Sequence, residues 1–141
     1  MKTLPLKTCM LNVVFLIVLT IATQSSASEP VIDETRQFRI EPTDSHTIWT
    51  ELENLPAGAR ILLTITSNHS MYKIRAFGPP PDGVPKDGPL YQIAENNGTE
   101  LDCKTVKAGL HKISFEPIPI ADKEWRKTFE GTYRIRVWPP E

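Results

Sequence analysis

Arg60-Ile61-Leu62-Leu63-Thr64-Ile65-Thr66-Ser67 decides the fold. In an extended chain successive side chains point to opposite faces, so Ile61, Leu63 and Ile65 form one fully apolar face and Leu62, Thr64 and Thr66 a semi-polar one. The same period of two recurs on either side of this stretch. Phe38 and Ile40 alternate within Gln37-Phe38-Arg39-Ile40-Glu41. Tyr72, Ile74 and Ala76 alternate with Lys73 and Arg75, and Tyr133, Ile135 and Val137 with Arg134 and Arg136. Each reads as a half-buried strand with one wet face.

The segments between these strands read as turns. Leu55-Pro56-Ala57-Gly58-Ala59 offers a proline of fixed φ and a glycine free to take positive φ, and Asn96-Asn97-Gly98-Thr99 contains a dipeptide that favours tight hairpins. The only stretch suited to a helical turn or two is 121–129 (ADKEWRKTF). Seven or eight strands are expected, near 36–41, 46–54, 60–67, 71–77, 90–95, 100–106, 109–116 and 131–138. So many short strands between turn signals predict an all-β domain, a single antiparallel β-sandwich, with a small barrel as the alternative. An internal echo supports similar strands: Gly109-Leu110-His111-Lys112-Ile113-Ser114-Phe115-Glu116-Pro117 lines up with Gly131-Thr132-Tyr133-Arg134-Ile135-Arg136-Val137-Trp138-Pro139. Each copy reads as a strand led by a turn glycine and ended by a proline that cannot extend a ladder.

The start of the chain has a different character. Lys2 and Lys7 precede an apolar run from Cys9 to Ala22, and Ser25-Ser26-Ala27 supplies the small residues of a cleavage site. Residues 1–27 therefore read as a secretory signal peptide cut after Ala27. The run is shorter than the roughly 20 residues a bilayer span needs, so no stable membrane span is expected after cleavage. The product is expected to be secreted or periplasmic, with a flexible N-terminus over 28–35 (SEPVIDET is short and acidic) and the sandwich domain over 36–141. Without Lys2 and Lys7 the chain carries 14 basic and 17 acidic side chains, a net charge near −3 that gives no electrostatic case for nucleic acid. Cleavage also removes Cys9, so Cys103 cannot close an internal disulfide and stability must come from packing.

Three stretches, Leu55 to Ile65, Tyr72 to Pro79 and Gly131 to Val137, together resemble the bacterial pre-peptidase C-terminal (PPC-like) domain family, over about residues 38 to 138. That resemblance implies a jelly-roll-like sandwich on a secreted protein, often beside a protease, with calcium or matrix polymers as ligands in some members. The residues after Ala27 suffice for one domain, so no attached enzyme domain is expected, which departs from the family. The chain also has His46-Thr47-Ile48-Trp49-Thr50-Glu51 where an acidic and aromatic run usually stands. No binding motif of the family matches position by position, so no functional residue is carried over.

Catalytic signatures are absent from the sequence: it has no G-x-S-x-G, no H-E-x-x-H, no glycine-rich phosphate loop and no CxxC. His46, His69 and His111 lie on separate segments, and a zinc site would need all three to converge. Cys103 shares a strand face with Leu101 and Thr105, which fits a buried thiol; the alternative is an intermolecular disulfide. Gly78 to Pro89 (GPPPDGVPKDGP) is rich in proline, so it is expected to be exposed yet semi-rigid, which suits a recognition edge. Asp82 and Asp87 within it could offer oxygens to calcium, but their spacing matches no calcium loop and Asp-Gly pairs make turns, so no cofactor is expected. Trp49, Trp125 and Trp138 offer rings that could stack on sugar faces; Trp138 falls on the Arg134/Arg136 side of its strand, and the alternative there is a ring that caps the core or covers an edge. Asn68-His69-Ser70 and Asn97-Gly98-Thr99 both fit the glycosylation acceptor pattern.

The function expected is an exported, non-catalytic binding domain that contacts a protein or a polysaccharide, with Arg134, Arg136, Trp138, Asp82 and Asp87 as the first binding candidates. The alternative is a structural or accessory subunit of an envelope assembly, docking through Cys103 or an open sheet edge. A small hydrolase is the remaining class, and it would need a pocket gathering His111 or His69 with carboxylates.

Overall fold

The computed structural model describes residues 28–44, 46–83 and 90–141. The leader read over 1–27 and residues 84–89 of the proline-rich recognition edge, Asp87 among them, lie outside the described residues. Among the described residues eight strands run in chain order: β1 (Ile32–Ile40), β2 (Ile48–Leu55), β3 (Arg60–Ser67), β4 (Tyr72–Gly78), β5 (Tyr91–Gly98), β6 (Glu100–Lys104), β7 (Gly109–Pro117) and β8 (Phe129–Trp138). A 3-10 turn, Asp122–Arg126, precedes β8 in the one stretch read as helical.

Two four-stranded antiparallel sheets result, sheet A in the order β1-β8-β3-β6 and sheet B in the order β2-β7-β4-β5. This interleaved order is that of an eight-stranded jelly roll, two Greek keys folded face to face. The apolar sets recognised by alternation meet between the sheets. Ile61, Leu63 and Ile65 from β3 and Tyr133, Ile135 and Val137 from β8 pack with Tyr72, Ile74 and Ala76 from β4. Phe38 and Phe115 close the centre with an edge-to-face contact at 5.1 Å.

Three local expectations change. β1 begins at Ile32, inside the stretch read as a flexible terminus. Ile32 pairs with Val137 and packs against the core, and Asp33 forms an ion pair with Arg134, so partners on β8 order an otherwise polar segment. Gly131 lies within β8 instead of leading it. A Cβ there would fall 2.2 Å from the Thr66 carbonyl oxygen, so the glycine lets β3 and β8 approach closely. Finally, Gly98 (φ +143°) turns the chain out of β5 toward β6, but those strands belong to different sheets, and the connection is a crossover, not a hairpin.

Candidate functional site

The outer face of sheet A brings Arg134, Arg136 and Trp138 together on β8, because alternate residues of one strand share a face. Arg134 donates from Nε and Nη2 to both carboxylate oxygens of Asp33, at 2.8 and 2.7 Å, and holds that carboxyl below its ordinary pKa. Arg60 grips Asp102 in the same two-pronged way at 3.0 and 2.8 Å. The guanidinium carbons of Arg60 and Arg136 lie 4.9 and 5.6 Å from the Trp138 ring centroid. The sugar-stacking reading of Trp138 is disfavoured, because its ring already carries two cations; nor does the ring cover an edge, since β8 is an inner strand of sheet A. Arg136 is the exception on this face. Among the described residues it has no carboxylate within ion-pair distance, and its Nε is buried without a hydrogen-bond partner.

The outer face of sheet B has a different character, of which the sequence showed the Trp49 ring but not its pairing with Phe77. Trp49 on β2 is 54% exposed and packs on Phe77 of β4, with ring centroids 5.6 Å apart and planes tilted by 37°. Ser114 of β7 lies in register between Trp49 and Arg75, so the strand separating the two aromatics contributes a small side chain there. Ion pairs border the rings: Lys112 with Glu51 at 3.2 Å, and Lys73 and Arg75 with Glu95, each at 3.5 Å. The signal was in the alternation. Phe77 falls in phase with Lys73 and Arg75, and Trp49 out of phase with Thr50 and Leu52, so both rings occupy positions where a wet face calls for polar residues.

The remaining candidates do not assemble into chemistry. Asp82 is paired with Lys107 and is otherwise exposed. No group of three or more metal-ligating side chains exists among the described residues. His111 lies at the β7 start under Gly78, whereas His69 packs on Phe129 beside the far loops. The Nε2 of His69 is hydrogen-bonded to the Ile118 carbonyl at 2.8 Å, and Ser67 Oγ engages the His69 backbone and the Tyr72 hydroxyl, not the imidazole. Cys103 packs against the core beside Leu101, and burial together with neighbouring Asp102 pushes its thiol up to about 11. That setting belongs to a packing residue and disfavours the intermolecular disulfide, because the thiolate is the reactive species. Asn68 is also committed: its side chain donates to Thr128 O and accepts from the Glu130 N–H, while Asn97 is exposed.

Among the described residues no helix is long and apolar enough to cross a membrane. No family model and no curated sequence matches the chain. Among solved structures it is similar to Aeromonas hydrophila PliG, a periplasmic lysozyme inhibitor of g-type lysozyme, with 14% sequence identity and a TM-score of 0.54 over 79% of this chain and 89% of that one. A second similar structure, from Sulfurospirillum deleyianum, has 9% identity and a TM-score of 0.36 over 72% of this chain and 97% of its own. The likeness to PliG is one of fold: both chains are β-sandwiches of related architecture.

Proposed function

We propose that this protein is an exported, non-catalytic domain that binds another protein through the outer face of sheet B, with Trp49 and Phe77 as the anchors. The observation that carries this reading is the contact between two aromatic rings on an open sheet face, bordered by ion pairs. Protein interfaces have this anatomy: a few aromatic residues supply most of the affinity, and a polar rim excludes water from them. The 37° tilt between the rings favours a protein partner over a polysaccharide, since a flat sugar chain stacks best on coplanar rings. The leader supports export to a secreted or periplasmic destination, and a related fold serves the periplasmic inhibitor from Aeromonas hydrophila.

The first partners to test are secreted bacteriolytic enzymes, beginning with a g-type lysozyme, and the purified protein is also used to capture stoichiometric partners from envelope extracts. Trp49→Ala should weaken binding at least tenfold while leaving the melting temperature nearly unchanged, because an exposed ring contributes little to the fold. Arg134→Ala should leave affinity close to wild type. Retention of polysaccharide in place of protein, or turnover of substrate by the protein itself, overturns the proposal.

A further inference from the structure

β1 pairs with β8 on one side and is an edge of sheet A. Its backbone polarity follows from one contact. Glu130, opposite Arg39, donates its N–H to Asn68 Oδ1 and accepts from the Asn68 N–H, so both its backbone groups point away from β1. Bonded and unbonded pairs alternate along an antiparallel ladder. Asp33, Thr35, Gln37 and Arg39 therefore turn their N–H and C=O groups outward along an edge that no other described strand pairs with. A strand of this length with unpaired backbone groups is a ready template for another strand.

The side chains select which strand. Glu34 and Arg36 lie on the inner side of β1 yet are about half exposed, so β1 overhangs sheet B here. Within one chain they pair with each other at 2.7 Å. Consider a second copy of β1 running antiparallel about a two-fold axis through Thr35. Thr35 then faces Thr35 and Asp33 faces Gln37 in bonded pairs that use the outward backbone groups. Glu34 faces Arg36 twice in the closer, unbonded pairs, and Ile32 faces Phe38. Moving the axis to residue 36 or 34 sets Arg36 against Arg36 or Glu34 against Glu34. Opposite charges across a strand pair stabilise and like charges destabilise, so one register is singled out.

We infer that β1 is a self-complementary edge through which two copies of this chain join sheet A into one continuous eight-stranded sheet, in the register centred on Thr35. The contact is isologous, as a two-fold axis requires, and it closes after two copies, so it does not propagate into fibres. The axis runs normal to the sheets, and both outer faces of sheet B point the same way.

Sedimentation equilibrium of the purified protein over a range of concentrations tests this. The wild-type chain should show a monomer–dimer equilibrium unaffected by reductant. Arg36→Glu and Glu34→Arg should each give a folded monomer by setting like charges opposite one another, and combining the two should restore the dimer. Thr35→Pro should also give a monomer, since the lost N–H is one that β8 does not use. A wild-type chain that stays monomeric at millimolar concentration overturns the inference, and so does a dimer that survives either charge reversal or that the combined charge swap fails to restore.

Discussion

Gly78 leaves the space that the His111 imidazole fills: a Cβ at position 78 would lie 2.7 Å from both Cδ2 and Nε2 of the ring. His111 is fully buried and its Nδ1 is tied to the Gly109 carbonyl at 3.0 Å, so the ring has nowhere to retreat. Gly78→Ala should cost about 1–3 kcal/mol in urea unfolding, the usual range for overpacking a filled core. Adding His111→Ala should recover part of that loss in a double-mutant cycle. An additive result would show that the clash is absorbed elsewhere.

The same burial gives His111 a role in acid stability. Desolvation lowers its pKa below the ordinary value of 6.5, and the hydrogen bond to Gly109 only partly opposes this. The unfolded chain therefore binds this proton more readily than the folded one. By linkage, stability is complete above about pH 6.5 and falls as the pH drops through the window between that value and the folded pKa. His111→Leu should flatten the decline between pH 7.5 and 5.5 relative to wild type, as measured by denaturant midpoints; parallel curves would remove His111 as its source.

Thr105 clasps the turn between β2 and β3. Its hydroxyl donates to the Pro56 carbonyl at 2.6 Å and accepts from the Ala59 N–H at 2.9 Å, and its backbone bonds to Gly58 and Ala59. Thr105→Val keeps the shape but leaves the Ala59 N–H without its partner, which should cost about 1–3 kcal/mol. Thr105→Ser should retain most of the stability. Thermal melts of the two variants separate loss of the hydroxyl from loss of the methyl group.

Cys103 should react slowly with a thiol reagent at pH 8 in the folded state and rapidly once unfolded, because its pKa of about 11 leaves little thiolate. Non-reducing gels should show no covalent dimer. Fast labelling of the native protein would mean that β6 peels away from β3.

Strands were legible wherever one face was apolar and the other wet. β3 matches its expected limits, and β4 and β7 differ by only a residue at their ends, because alternation is a local property of the chain. What was not legible depended on partners distant in sequence. The order in residues 32–35 comes from Arg134 and the core edge, and the need for glycine at 131 comes from the Thr66 carbonyl. The expected face of Arg134, Arg136 and Trp138 does assemble, but Asp33, Arg60 and Asp102, which occupy it, lie on three other strands. Trp49 and Phe77 were individually visible as apolar residues on wet faces. Only the order β2-β7-β4 placed them together.

The three tryptophans are distributed in a way that makes the protein its own optical probe. Trp49 lies on the sheet B face, Trp125 sits half exposed in the 3-10 turn, and Trp138 is held between arginines on sheet A. Dissolved acrylamide should quench the first two and largely spare the third. Chains retaining a single indole would report, through intensity and wavelength alone, which of the three surfaces an added molecule has covered.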